Sequence, residues 1–123
     1  MTLARTIVRW LLTLIFLASG IMHLVRPGFY VRMIPPPLGP ASLLVFVSGL
    51  CELAGAIGIA LARFRRAAGI GLIALLAAVF PANVYMAMAP GIFSDMGTPT
   101  AFLIRLPLQL VLVAAAWWTC LRK

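Results

Sequence analysis

The chain has 123 residues, of which 64% are hydrophobic and 10% charged, with a formal charge of +8. So apolar a composition excludes an ordinary soluble domain, in which about 45–50% of residues are apolar, and the length suits a single domain. The basic excess does not point to nucleic acid, because the aromatic–basic interleaving of single-strand binders is missing; on so oily a chain it records membrane topology.

The N-terminal stretch imitates a secretory signal. Arg5 and Arg9 form a basic region, Leu11 to Ala18 is apolar, and Ala18-Ser19-Gly20 resembles a cleavage site. The apolar run nevertheless continues from Ile7 to Val25, about as long as the ~20 residues that cross a ~30 Å hydrocarbon core. A retained first span over 7–25 is expected.

Pro27 and Gly28 then break the pattern, and Pro35, Pro36 and Pro37 impose extended backbone without donors. Between these breakers Phe29, Tyr30, Met33 and Ile34 share one apolar face. This predicts a short helix in a Pro-rich outer loop, lying at the bilayer surface or capping the bundle.

A second span is expected over 41–62, stopped by Arg63-Phe64-Arg65-Arg66. A third covers 67–88, with Pro81 predicting a kink near its far end. Pro90, Gly91, Ser94, Asp95, Gly97 and Pro99 mark a loop, and a fourth span runs over 101–121 to Arg122-Lys123. All four must be helical, because an open sheet edge cannot face lipid. The predicted fold is therefore an all-α membrane protein, a four-transmembrane-helix bundle forming one domain over 1–123.

Arg5, Arg9, Arg63, Arg65, Arg66, Arg122 and Lys123 fall on one side of such a bundle, and Arg26, Arg32 and Arg105 on the other with Asp95. The bias predicts both termini on the cytoplasmic side. Trp10, Trp117 and Trp118 belong to the same boundary, as an interfacial belt. Small residues at Ala56/Ala60, Ala67/Gly71 and Ala74/Ala78/Ala82 are expected to let helices approach closely within the chain, with contacts between copies as the alternative.

The two cysteines, Cys51 and Cys120, form no CxxC and read as buried small hydrophobes. Met22, Met33, Met86, Met88 and Met96 gather toward the outer side, where they read as packing filler rather than copper(I) ligands. No metal site is expected.

The stretch that organises the chain is Ser48-Gly49-Leu50-Cys51-Glu52. A carboxylate at the centre of a membrane helix costs about 2.5–3.5 kcal/mol on insertion scales, so it should face protein or water. At about 1.5 Å per residue, Glu52 lies about 15 Å from the outer boundary, Gln109 about 10 Å and Asn83 about 7 Å, with His23 and Arg105 shallower. Ser19 and His23, Ser48 and Glu52, and Arg105 and Gln109 each share a helix face.

Polarity thus gathers in the outer half, and the inner half is apolar away from its ends. Two accounts suit this asymmetry. In one it is a buried network, with Arg105 reaching Glu52, Gln109 bridging them and Asn83 serving backbone groups freed by Pro81. In the other the same residues line a cavity open to the outer side. His23 is expected to be solvated near its helix end, and Tyr85 to be an interfacial anchor.

The chain resembles the DoxX-like four-helix membrane proteins. The resemblance rests on Ser19-Gly20-Ile21-Met22-His23, Pro27, Phe29 and Met33-Ile34-Pro35, on Ser48 to Ala56, on Phe80-Pro81-Ala82-Asn83, and on Arg105-Leu106-Pro107-Leu108-Gln109. It spans nearly the whole chain and implies an inner-membrane bundle with polar positions at His23, Glu52, Asn83, Arg105 and Gln109. Proteins of that family include a subunit associated with thiosulfate:quinone oxidoreductase, a maturation protein for methylamine dehydrogenase, and distant ion-channel assembly chaperones. The cysteine pair expected of a redox maturation factor is missing here.

Two functions are carried forward. The first is an accessory protein, without chemistry of its own, whose polar cavity takes a small amphiphile or a partner membrane protein. The second is a membrane subunit of a redox system acting on a quinone or lipid, with Glu52 as acid–base group. No cofactor is specified by the sequence.

Overall fold

The computed structural model describes residues 2–35 and 39–122. In chain order the helices are α1 (Leu3–Val25), a short α2 (Pro27–Val31), α3 (Ala41–Ala60), α4 (Arg65–Met88) and α5 (Pro99–Ala116). A 3₁₀ turn, Pro90–Phe93, lies in the last loop, and a π turn, Trp117–Leu121, continues α5. The four long helices are each long and apolar enough to cross a membrane, the last counted over Pro99–Leu121. The chain is an all-helical four-helix bundle.

Local chemistry sets the ends. The Thr2 hydroxyl accepts from the Arg5 N–H, and the Thr98 hydroxyl from the Ala101 N–H ahead of Pro99 at the first helical position. The first span therefore starts earlier than the expected residue 7, and the fourth at Pro99 rather than 101. The second ends at Ala60, not 62, because Leu61 turns to extended backbone. The third begins at Arg65, so the basic turn supplies its first residues.

Pro27 acts in both directions. It pushes Arg26 out of helical geometry (φ −128°, ψ 62°), which ends α1. It then occupies the first position of α2, where its missing N–H is harmless. The expected short helix thus lies two residues earlier than the apolar pattern Phe29–Ile34 suggested. Met33 and Ile34 follow it in a turn, with Met33 buried. Pro36 and Pro37, expected to be extended, lie outside the described residues.

The helices form a ring in which α1 packs on α3, α3 on α4 and α4 on α5, and α5 with its π turn returns to α1. The closest approaches are made by glycines. A Cβ at Gly20 would lie 3.0 Å from the Gly49 carbonyl, and one at Gly49 would lie 2.8 Å from His23 Cβ. On the α3–α4 side, Gly55 meets Leu72 and Gly58 meets Ala68, and Gly69 meets Cys120. These contacts replace most of the expected small-residue stripes. Ala67, Gly71, Ala74 and Ala78 all face outward, and only Ala56 and Ala82 of those stripes are fully buried.

The interior is divided. One apolar cluster, built on Leu12, Phe16, Ala56, Ile59, Leu72, Leu76 and Ala116, fills the half that carries both chain ends. A second, built on Met33, Ala82, Met86, Phe93 and Phe102, closes the half that carries the long loops. Tyr85 belongs with this second cluster, edge-on to Phe93 at 5.5 Å, rather than standing alone as an anchor. Between the clusters lies a cavity.

Candidate functional site

The cavity has a volume of about 200 Å³ and is bounded by α1, α3, α4 and α5, with Tyr30, Met33 and Ile34 across its loop-side end. Its wall includes all six side chains singled out from the sequence: His23, Ser48, Glu52, Asn83, Arg105 and Gln109. Phe16, Val45, Leu76, Val79, Leu108 and Leu112 supply apolar wall between them. The space is therefore amphiphilic, with charge and amides on one part and hydrocarbon on the rest.

His23 and Glu52 meet because of the glycine crossing. Each lies three residues beyond a crossing glycine, Gly20 on α1 and Gly49 on α3, so each falls on the shared face of its helix. The crossing brings His23 Nδ1 to 3.4 Å from Glu52 Oε2, with both side chains buried. The Ser19 carbonyl accepts from His23 Nδ1 at 2.7 Å. Glu52 Oε2 has no hydrogen-bond partner and is enclosed. An acceptor left without a donor in a low-dielectric site is costly.

Tyr30 closes this corner. Its ring stacks on the His23 ring at 3.8 Å between centroids and 16° between planes. Burial first, and then the Glu52 carboxylate, raise the Tyr30 phenol above its ordinary range, while Arg105 opposes them. The expected solvation of His23 is thereby corrected: α2 folds over the end of α1 and covers the imidazole. The sequence places Tyr30 only on an apolar face, and nothing local in it shows where α2 docks.

The amides form a separate pair. Asn83 Nδ2 donates to Gln109 Oε1 at 2.6 Å, and Gln109 Nε2 donates to the Leu76 carbonyl. Leu76 precedes Ala77, whose carbonyl loses its usual donor because Pro81 has no N–H. Gln109 thus donates to the carbonyl next to the one that Pro81 frees, not to the freed carbonyl that Asn83 was expected to serve, and Asn83 in turn fixes Gln109. Pro107 lies two residues from Gln109, so both amide-bearing helices contain a proline at this level.

The expected link from Arg105 through Gln109 to Glu52 is corrected as well. Glu52 pairs with His23, and the amides bond to each other. Among the described residues, Arg105 makes no ion pair or hydrogen bond, although it lines the cavity half-buried. A guanidinium always carries its charge and offers five donors. Ser48 lies on the wall one turn before Glu52.

Cys51 points the other way and is exposed on the outside of the bundle, contrary to the expected burial; Cys120 is half-buried. Among the described residues, no three His, Cys, Asp or Glu side chains come together as a metal-binding group.

At the loop-side mouth, Arg32 makes a two-pronged ion pair with Asp95, at 2.8 and 3.0 Å, and also donates to the Ile92 carbonyl. This ties the turn after α2 to the α4–α5 loop and holds Met33 over the cavity. His23 also borders a shallow outer groove between α2 and α3, lined by Leu24, Pro27, Val31 and Phe46. The imidazole therefore stands between the cavity and the bundle's exterior.

The chain matches the family described as a domain of unknown function (DUF8561) over residues 12–120, and it belongs to that family. No curated protein and no solved structure matches it.

Proposed function

We propose that this DUF8561 protein is a small accessory protein of a bacterial-type inner membrane that binds a small amphiphilic molecule inside its bundle. The observation that carries this reading is the two-character cavity: ionisable and amide groups at His23, Glu52, Asn83, Arg105 and Gln109, continuous with apolar wall at Phe16, Leu76 and Leu112. A purely structural network would consume its polar groups internally. Here Arg105 lines the space without an ion pair or hydrogen bond among the described residues, so donor capacity is left facing it, and the enclosed Glu52 Oε2 has only the 3.4 Å approach of His23. An intramembrane ionisable residue is by default a functional group.

The resemblance to DoxX-like proteins agrees with this reading, and so does the arginine bias, which orients both termini toward the cytoplasm. Reporter tags at the two ends are expected to show both on the cytoplasmic face; one on each face would remove the orientation.

Native mass spectrometry of protein extracted in mild detergent tests the binding. The wild type is expected to carry a lipid, quinone or other amphiphile that is absent from Glu52→Gln and Arg105→Gln protein of unchanged abundance and melting temperature. If the wild type emerges empty, or the variants retain the same molecule, the reading fails. A second reading, a redox-system subunit acting on a quinone or lipid, is favoured specifically by the 3.4 Å approach of His23 Nδ1 to Glu52 Oε2. Two titratable groups side by side on the cavity wall suit proton exchange with a bound ring. It requires turnover that Glu52→Gln abolishes while the molecule stays bound. Occupancy without turnover leaves the accessory role.

A further inference from the structure

The end of the bundle away from the cavity carries Arg5, Arg9, Arg63, Arg65, Arg66 and Arg122, and neither acidic residue of the chain lies there. Glu52 lines the cavity and Asp95 is held in the opposite loop. Among the described residues, the guanidinium hydrogen bonds at this end all go to main-chain carbonyls. Arg5 donates to Trp118 and Arg122, Arg66 to Leu121, Arg65 to Ile59 and Ala60, and Arg9 to Ala60.

Those carbonyls belong to the last turn of α3, to the π turn and to Arg122 just after it, where intrahelical donors run out. Capping is therefore part of what the arginines do. It does not balance their charge, since a helix end carries roughly half an elementary charge and each guanidinium a whole one. Among the described residues no carboxylate stands at this end to complete the balance.

Arg9 and Arg65 are the most constrained of the set. Arg9 on α1 and Arg65 at the start of α4 converge on the single Ala60 carbonyl, at 3.3 and 3.5 Å. Arg9 is 8% exposed, and its Nε is enclosed without an acceptor. Two like charges thus meet on one neutral oxygen, with most of their donors unused. Exposed apolar side chains stand beside them: Trp10, against whose ring the Arg9 guanidinium lies at 4.8 Å, is half-exposed, as are Leu61 and Phe64.

We propose that the adjoining guanidiniums of Arg9 and Arg65 bind the phosphate of an anionic phospholipid. Two guanidinium forks from different helices match the oxygens of one phosphate. The apolar rim of Trp10, Leu61 and Phe64 suits the glycerol and upper acyl chain rather than a free anion. Basic pockets between membrane helices recognise lipid headgroups by this chemistry. The site is separate from the cavity and uses none of its residues.

The full chain in mild detergent, titrated with phosphatidylglycerol, with phosphatidylcholine of the same acyl chains and with inorganic phosphate, tests this by native mass spectrometry. Phosphatidylglycerol is expected to bind about tenfold or more tighter than phosphatidylcholine. Arg65→Gln and Arg9→Gln are expected to abolish that preference, while Arg63→Gln, beside Phe64 on the same rim, shifts it by less than about twofold. Arg9→Lys, which keeps the charge but not the fork, should fall between wild type and Arg9→Gln; should Arg9→Gln fail to fold, this variant and Arg65→Gln carry the test. Equal binding of the two lipids overturns the proposal, as does an equal effect of Arg63→Gln, which would indicate diffuse attraction. Displacement of phosphatidylglycerol by equimolar inorganic phosphate overturns the lipid assignment in favour of a soluble anion.

Discussion

The two ends of the bundle handle charge in opposite ways. At the loop end, ionisable side chains meet other side chains: His23 meets Glu52 beneath the Tyr30 ring, and Arg32 meets Asp95. At the end with the termini, arginines meet main-chain carbonyls and aromatic faces. Side-chain pairs need a defined crossing of two elements, so the loop end depends on packing geometry. Arginines on helix ends need only a helix that stops, so the other end tolerates change. Arg105 departs from the loop-end pattern, and it lies on the cavity wall.

The difference can be broken most forcefully at the α1–α3 crossing. Gly49→Ala places a carbon 2.8 Å from His23 Cβ, so the helices must part and carry His23 away from Glu52. The loss in stability is expected in the upper part of the ~1–3 kcal/mol range of overpacking, read from melting in detergent, with ligand occupancy falling in parallel. Gly71→Ala is the matched control, because nothing lies within 4 Å of its added Cβ. It should leave melting unchanged or slightly raised; an equal loss at both positions would show that the crossing is nothing special.

A smaller effect is expected from Gln109→Leu. It leaves the Asn83 amide without its acceptor and removes the second donor from the Leu76 carbonyl, at about 1–3 kcal/mol for a buried group left unsatisfied. Loss of ligand without loss of stability would instead make Gln109 a binding group alone.

The smallest effect belongs to the exposed pair Arg32–Asp95. Arg32 holds the Asp95 carboxyl below its ordinary value of 3.8. The contribution to stability is therefore complete above that value and is lost as pH falls through the lower folded value. Asp95→Asn should remove this acid-side dependence and barely change melting at neutral pH. A large loss at neutral pH would mean that the tie across the mouth holds the fold and not just the loop.

Much of this molecule was written in its composition. Four apolar runs of membrane length, separated by prolines, glycines and arginines, determine four helices whatever they pack against, because backbone groups in lipid must bond within their own segment. The cost of placing Glu52 in hydrocarbon likewise determined that it turn inward, and the six polar positions read from the sequence all line one space. Which of them pair was decided only in three dimensions. Helical spacing placed Arg105 and Gln109 on one face, but the close contact at Gly20 and Gly49 gave Glu52 to His23 instead. Ala67, Gly71, Ala74 and Ala78 had the spacing of a packing stripe and face outward, while Gly20, Gly49, Gly55, Gly58 and Gly69 make the contacts. Periodicity tells which residues share a side of a helix; how each helix is rotated toward its neighbours depends on side chains far away in sequence.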